Sequence, residues 1–162
     1  MPSRDTGRVE PRPYDSHPPL TERLETMRVD RCLNAKRFSR DEVLAKLPEI
    51  RRVMEKHAVR AASLFGSALA DRMGPFSDVD IAVLPDPSGP DWLDTHGAIY
   101  TDLCRIFQAD NIDVILMGEA PPSLKFTVIQ DGLLFFTADE QAWVAFVEEA
   151  IFSYHDTRPL RE

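Results

Sequence analysis

AASLFGSALADRMGPFSDVDIAVL, residues 61–84, is the stretch on which the fold turns. Ala61–Phe65 is short and apolar, suited to a buried strand. Gly66-Ser67 breaks that run, and a serine there can cap a helical segment. Ten residues separate Ser67 from Asp78, and Asp80 follows two later. Side chains two apart on a strand share a face. Asp78 and Asp80 are therefore expected to point one way while Val79, Ile81 and Val83 point into a core. Two carboxylates side by side repel each other, and a divalent cation between them would relieve the cost.

A further acid follows on a later apolar run, Asn111-Ile112-Asp113-Val114-Ile115-Leu116. Asp113 alternates with Ile112 and Val114, so it should leave the core on the opposite face. A D-x-D alone is common in acidic proteins. A Gly-Ser at one fixed distance before it arises by accident in about one chain in several hundred at ordinary residue usage.

Taken together, FGS, ten residues, DVD and the later aspartate resemble the DNA polymerase β-like nucleotidyltransferase superfamily. Within it the match is to the minimal nucleotidyltransferase (MNT) antitoxins of HEPN–MNT toxin–antitoxin pairs. The resemblance runs from about Asp41 to the C-terminus. It implies an α+β class with a polymerase β palm-like fold: a small mixed sheet with helices packed mainly on one face. It implies Asp78, Asp80 and Asp113 as catalytic acids and ligands of two Mg2+ ions. It also implies Gly66 and Ser67 as the cradle for the phosphates of ATP.

These residue types suit that chemistry. Nucleotidyl transfer needs a triphosphate in line with its attacker and charge neutralised on the leaving pyrophosphate. Magnesium takes oxygen ligands, typically carboxylates, water and substrate phosphates. By the resemblance, Asp113 would also help take the acceptor hydroxyl's proton. Asp110 competes for that role but precedes the strand. Glycine lets a backbone approach a phosphate, whose oxygens the exposed N–H groups and the Ser67 hydroxyl can bind. A Walker pattern is absent. Relatives often carry an arginine soon after the Gly-Ser; here Ala68-Leu69-Ala70 follows, and Arg72 is the first basic residue. Lys125 is expected to be a solvated surface lysine rather than a phosphate partner.

The chain has 162 residues and a net charge of −8. That length suits one domain with a core. Charge is uneven: residues 1–40 hold nine Lys/Arg and six Asp/Glu, residues 41–162 ten and twenty-one. An acidic main part argues against direct binding of nucleic acid and suits a basic protein partner. No apolar run approaches the roughly 20 residues of a membrane span and no secretory leader is evident, so a cytoplasmic location is expected. Cys32 and Cys104 imply neither a disulfide framework nor a zinc site.

Residues 1–40 hold five of the thirteen prolines and few large apolar groups. They are expected to be disordered or an added segment, with residues 41–162 forming the nucleotidyltransferase domain. Ser39-Arg-Asp-Glu42 is a capping box before an apolar-periodic run, in which Pro48 should kink the helix or split it near Leu47. His57 reads as a helix C-terminal residue, and His96 and His155 as surface residues. Trp92–Phe107 returns to helical spacing, Asn111–Met117 reads as a strand, and Pro121-Pro122 opens another helix. Leu133–Phe136 is a short strand after the Asp131-Gly132 turn. Thr137-Ala-Asp-Glu140 looks like a second capping box, opening a helix whose stripe of Trp143, Phe146, Val147, Ala150, Ile151 and Tyr154 should pack on its own domain.

The resemblance implies an enzyme that moves AMP from Mg-ATP to a tyrosine hydroxyl of a HEPN ribonuclease toxin, with a hetero-oligomer of the two as one outcome. Two alternatives remain open at this point. One is an antitoxin that acts by contact alone. The other is an aminoglycoside-type nucleotidyltransferase, against which the 49 residues after Asp113 leave little room for a drug-binding domain.

Overall fold

The computed structural model describes residues 35–69, 74 and 77–157. Two short helices, α1 (Arg40–Ala45) and α2 (Leu47–Lys56), lead into strand β1 (Val59–Phe65). A 3-10 turn over Gly66–Ala68 follows, then β2 (Val79–Pro85), α3 (Trp92–Phe107), β3 (Ile112–Leu116), α4 (Pro122–Asp131), β4 (Leu133–Thr137) and α5 (Glu140–Thr157). The sheet order is β3-β2-β1-β4. β1 is antiparallel to both β2 and β4, whereas β2 and β3 are parallel, with α3 as their crossover. This is the mixed α+β sheet expected from the sequence.

Local signals explain the first helices. The Ser39 hydroxyl accepts from the Glu42 amide, and the Glu42 carboxylate accepts from the Ser39 amide. That reciprocal pair satisfies two otherwise orphaned N–H groups. Pro48 sits in the first turn of α2, where its missing N–H costs nothing, and the helix pattern divides at Lys46 as expected.

Alternation along the strands sorts the core into two layers. Val79, Ile81 and Val83 of β2, with Ile112 and Val114 of β3, face the larger core. Ile50, Met54, Ile99, Leu103 and Phe107 from α2 and α3 close it. Helices α2 and α3 therefore cover that face. Phe65, Ala82 and Met117 face the other way, onto Val128 of α4 and Phe146 and Ala150 of α5. The α5 stripe does pack on its own domain through Phe146 and Ala150, but Ile151 is left at the surface.

The packed unit takes in residues ahead of Asp41. Phe38 is buried and meets Phe107 edge-on at 5.2 Å between ring centroids. The expectation for residues 1–40 otherwise falls, up to residue 34, outside the described residues. So does Arg72.

Two local readings need correction. Thr137 does not cap α5; it ends β4 opposite Ala61. Asp139 takes the role instead, its Oδ1 accepting from the Ala142 amide at 2.9 Å. The same carboxylate receives Arg60 Nη2 at 2.6 Å, so the cap is also an ion pair. Those two contacts, the Ala142 amide first, hold the Asp139 carboxyl below its usual range. Nor is His96 a surface residue. It is half-buried, with its ring nitrogen 3.0 Å from the Val114 carbonyl and its edge toward Trp92.

An acidic hub joins α2 to α3. Asp102 takes Lys56 Nζ at 2.7 Å, His57 Nε2 at 2.9 Å and Arg105 Nη1 at 3.1 Å. The hydrogen bonds from Lys56 and His57 lower its pKa from 3.8 to about 2. A carboxyl depressed on folding stabilises the fold above its unfolded pKa and stops doing so as pH falls through the folded value. Asp102→Asn should therefore lower Tm at neutral pH. The gap from the wild type should narrow as pH drops from about 4 toward 2. Thermal unfolding monitored across that range checks it; a gap of constant size would show that the hub's charge is not what matters.

Candidate active site

The parallel register of β2 and β3 pairs Asp80 with Asp113, and Val79 with Ile112. Register partners on a sheet share a face, so the two carboxylates stand side by side. That face is the one carrying Ala82 and Leu84, opposite Val79 and Ile81. Asp80 and Asp113 lie near the N-terminal ends of their strands.

The antiparallel register of β1 and β2 pairs Phe65 with Asp80. Gly66 is thus the next residue along from Asp80's partner. It has φ +74°, a conformation that side chains rarely adopt. A Cβ added to Gly66 would collide with Asp80 Oδ2 and lie 3.2 Å from Asp80 Cγ. Glycine is required here on two counts: the backbone turn and the room for Asp80.

Asp78 departs slightly from expectation. The strand begins at Val79, so Asp78 is the residue before it and is exposed. Its charge still reaches Asp80. Burial first, then the charges of Asp113 and Asp78, push the Asp80 carboxyl up from 3.8 to about 6. Ser67 lies within the 3-10 turn and is half-buried.

Other acids and bases are placed differently. Asp110 precedes β3, and its Oδ1 is buried with no hydrogen-bond partner among the described residues. Lys125 is not a solvated surface residue: only 8% of it is exposed. Its Nζ lies over the Phe146 ring and pairs with Glu149 Oε1 at 3.3 Å, tying α4 to α5. The sequence reading failed there because a long lysine stem packs well against an aromatic face while its ammonium finds a partner.

Among the described residues, no three His, Cys, Asp or Glu side chains are gathered closely enough to hold a metal ion as they stand. The donor chemistry nonetheless fits a hard cation. Three carboxylates supply only oxygen, and Asp80 bears a like-charge load that no described cation offsets by an ion pair.

Sequence reading missed Asn111. Its buried side chain donates from Nδ2 to the Ser77 carbonyl at 2.9 Å and to the Lys36 carbonyl at 2.9 Å, and Oδ1 accepts from the Lys36 amide at 3.0 Å. An asparagine at the head of a strand carries no local signal of such contacts.

The mixed sheet and its strand–turn–strand geometry are those of a nucleotidyltransferase fold. The model of the polymerase beta nucleotidyltransferase family matches residues 48–141, more than half of the chain, and the chain belongs to that family. No curated protein matches it. Among solved structures, it is similar to a toxin–antitoxin complex determined with AMP-PNP. There the TM-score is 0.60 and the identity 20%, covering 71% of this chain and 91% of that one. It is also similar to the complex of a tri-AMPylated Shewanella oneidensis HEPN toxin with its MNT antitoxin. That likeness has a TM-score of 0.57 and 19% identity, over 73% of this chain and 91% of that chain. A MntA–HepT toxin–antitoxin structure matches with a TM-score of 0.56 and 19% identity, over 73% and 92%. What these likenesses share with the chain is the fold. Among the described residues, no helix is long and apolar enough to cross a membrane.

Proposed function

We propose that the protein is an antitoxin-type adenylyltransferase that moves AMP from Mg-ATP onto a tyrosine hydroxyl of a cognate HEPN toxin. The observation that carries the proposal is the register that sets Asp80 beside Asp113, with Gly66 kept bare against Asp80. The partner assignment is supported by the neighbours, one of which pairs an MNT antitoxin with an AMPylated HEPN toxin.

In this reading Asp78, Asp80 and Asp113 hold two magnesium ions, and Gly66 and Ser67 bind the triphosphate. Magnesium, when bound, neutralises charge on the transferring phosphoryl group and its leaving pyrophosphate. Asp113 accepts the proton of the acceptor hydroxyl. The tyrosine oxygen forms a bond to the α-phosphorus, the bond from that phosphorus to the bridging oxygen breaks, and pyrophosphate departs with the electron pair. The bare backbone at Gly66 leaves room for the Asp80 carboxylate beside the turn. The pull of burial and neighbouring charge on Asp80 disfavours its ionised form. A cation held beside Asp80 would relieve that cost.

Contact alone is the second reading. Val144 and Phe152 of α5 are 51% and 70% exposed, apolar side chains that a partner could cover. Asp78→Ala separates the two. The protein is incubated with a co-purified HEPN toxin and ATP labelled at the α-phosphate, and the toxin is weighed by mass spectrometry. AMP added by the wild type and absent with Asp78→Ala supports transfer. Toxin neutralised at unchanged mass by both proteins would overturn it in favour of contact.

A further inference from the structure

Asp78 lies outside the strand that holds Asp80, yet the proposed chemistry needs its carboxylate aimed at the same point. Asn111 supplies two constraints on either side of it. Its Nδ2 donates to the Ser77 carbonyl at 2.9 Å. Its own backbone carbonyl accepts from the Val79 amide at 2.9 Å. The peptide planes before and after Asp78 are thus both held by one residue. With those planes fixed, the backbone dihedrals of Asp78 are fixed, and so is the direction of its Cα–Cβ bond.

The Asn111 amide cannot swing away. Its Oδ1 accepts from the Lys36 amide at 3.0 Å, and its Nδ2 donates to the Lys36 carbonyl at 2.9 Å. Both Nδ2 hydrogens are therefore used, and the side chain is buried. Two residues on from Lys36, the buried Phe38 ring packs on Phe107. The chain ahead of α1 acts as a buttress: it orients Asn111, and Asn111 orients Asp78.

We infer that Asn111 is a positioning residue for Asp78, setting the aim of that carboxylate rather than touching the reactants. The inference rests on the nucleotidyltransferase reading for its purpose, but the pinning of the chain is a separate physical claim. Asparagine is required for it. Aspartate keeps the acceptor for the Lys36 amide but turns the donor edge into a second acceptor facing two carbonyls. Alanine leaves the Ser77 carbonyl and both Lys36 backbone groups without that partner.

Binding of Mn2+, a paramagnetic stand-in for Mg2+, tests it by electron paramagnetic resonance without any turnover. The proteins are the wild type, Asn111→Ala, Asp78→Asn, their double variant, and Ile50→Val. Ile50→Val is the control for simple destabilisation, because it lowers stability from within the core and leaves Asn111 and the chain ahead of α1 in place. The expected result is a roughly tenfold weaker Mn2+ affinity for Asn111→Ala, with the double variant no weaker than Asp78→Asn alone, since residues that act as one unit are not additive. Ile50→Val should lower Tm with little change in affinity.

The inference is overturned if Asn111→Ala merely behaves like Ile50→Val, or if its loss multiplies with that of Asp78→Asn. Wild-type protein that takes up no Mn2+ would instead sink the nucleotidyltransferase reading. The pinning is then judged by hydrogen exchange at the Val79 amide. Faster exchange in Asn111→Ala, without a rise at β4, supports it. Unchanged exchange overturns it.

Discussion

Asp80→Asn should abolish AMP transfer and at the same time raise Tm at pH 7.5. The two effects come from one cause. Burial, Asp113 and Asp78 all disfavour the charged form of Asp80 and push its pKa from 3.8 to about 6. For an acid whose pKa is raised on folding, the favourable contribution is present below the unfolded value. It is lost as pH rises through the folded value. At pH 7.5 wild-type Asp80 is ionised at a cost to the fold, and a neutral amide of the same shape removes that cost. A rise from 3.8 to about 6 sets the cost at full strength, at about 1.4 kcal/mol for each tenfold change in acidity. Asp80 is only half-buried, so solvent screening brings the gain down to on the order of 1 kcal/mol. The loss of transfer should be at least about a thousandfold, because the amide contributes no charge to the cation-holding set. The stabilisation should fade below pH 6, where the wild-type carboxyl takes up its proton. Transfer by the wild type should fall over the same range unless added Mg2+ holds the group ionised. Thermal unfolding and labelled-AMP transfer, both followed from pH 5 to 8, check the pair of effects. A variant that loses transfer and also loses stability at pH 7.5 would mean that Asp80 holds the sheet together rather than being held in it under strain.

How much of this was legible beforehand depended on distance along the chain. The capping box at Ser39–Glu42 and the break at Pro48 involve neighbours a few residues apart, and both were read directly from type and spacing. Strand alternation likewise fixed the faces of Asp80 and Asp113, since a period of two leaves no choice once Val79 and Ile81 go into the core. The register that brings those aspartates together was not legible, because it depends on how β2 and β3 slide past each other. It had to be borrowed from a family likeness. At Thr137 two local rules competed: a capping-box pattern and one more strand residue. The pairing of Thr137 with Ala61 won, and the cap moved to Asp139, which also had Arg60 to bind. Lys125 and Asn111 show the hard limit. Their partners Glu149, Ser77 and Lys36 lie 24, 34 and 75 residues away. Only folding reveals that a lysine stem has an aromatic face beneath it, or that one amide satisfies three backbone groups.

Gly66→Ala should silence the site as thoroughly as loss of a carboxylate, by displacing one. At φ +74° any side chain costs roughly 1 kcal/mol of backbone strain. The larger consequence is steric. The new Cβ would overlap Asp80 Oδ2 and crowd Cγ at 3.2 Å, so the carboxylate must turn away. Asp80 is a short side chain on a paired strand; its only relief is rotation about χ1, which takes it off the line it shares with Asp113. Transfer should fall by about a hundredfold or more, because small misplacements of reacting groups carry penalties of that order. Gly132→Ala is the matching control. A Cβ at Gly132 would strike the Val128 carbonyl, a backbone atom at the end of α4. That variant should be destabilised by about 1–3 kcal/mol yet keep its transfer rate per folded molecule at low temperature. Urea unfolding and initial transfer rates at 10 °C distinguish the two glycines. Equal losses of rate in both variants would mean that stability alone governs activity. Retention of rate in Gly66→Ala would mean that Asp80 is not where the nucleotide is turned over, because the three atoms nearest a Cβ at residue 66 all belong to Asp80.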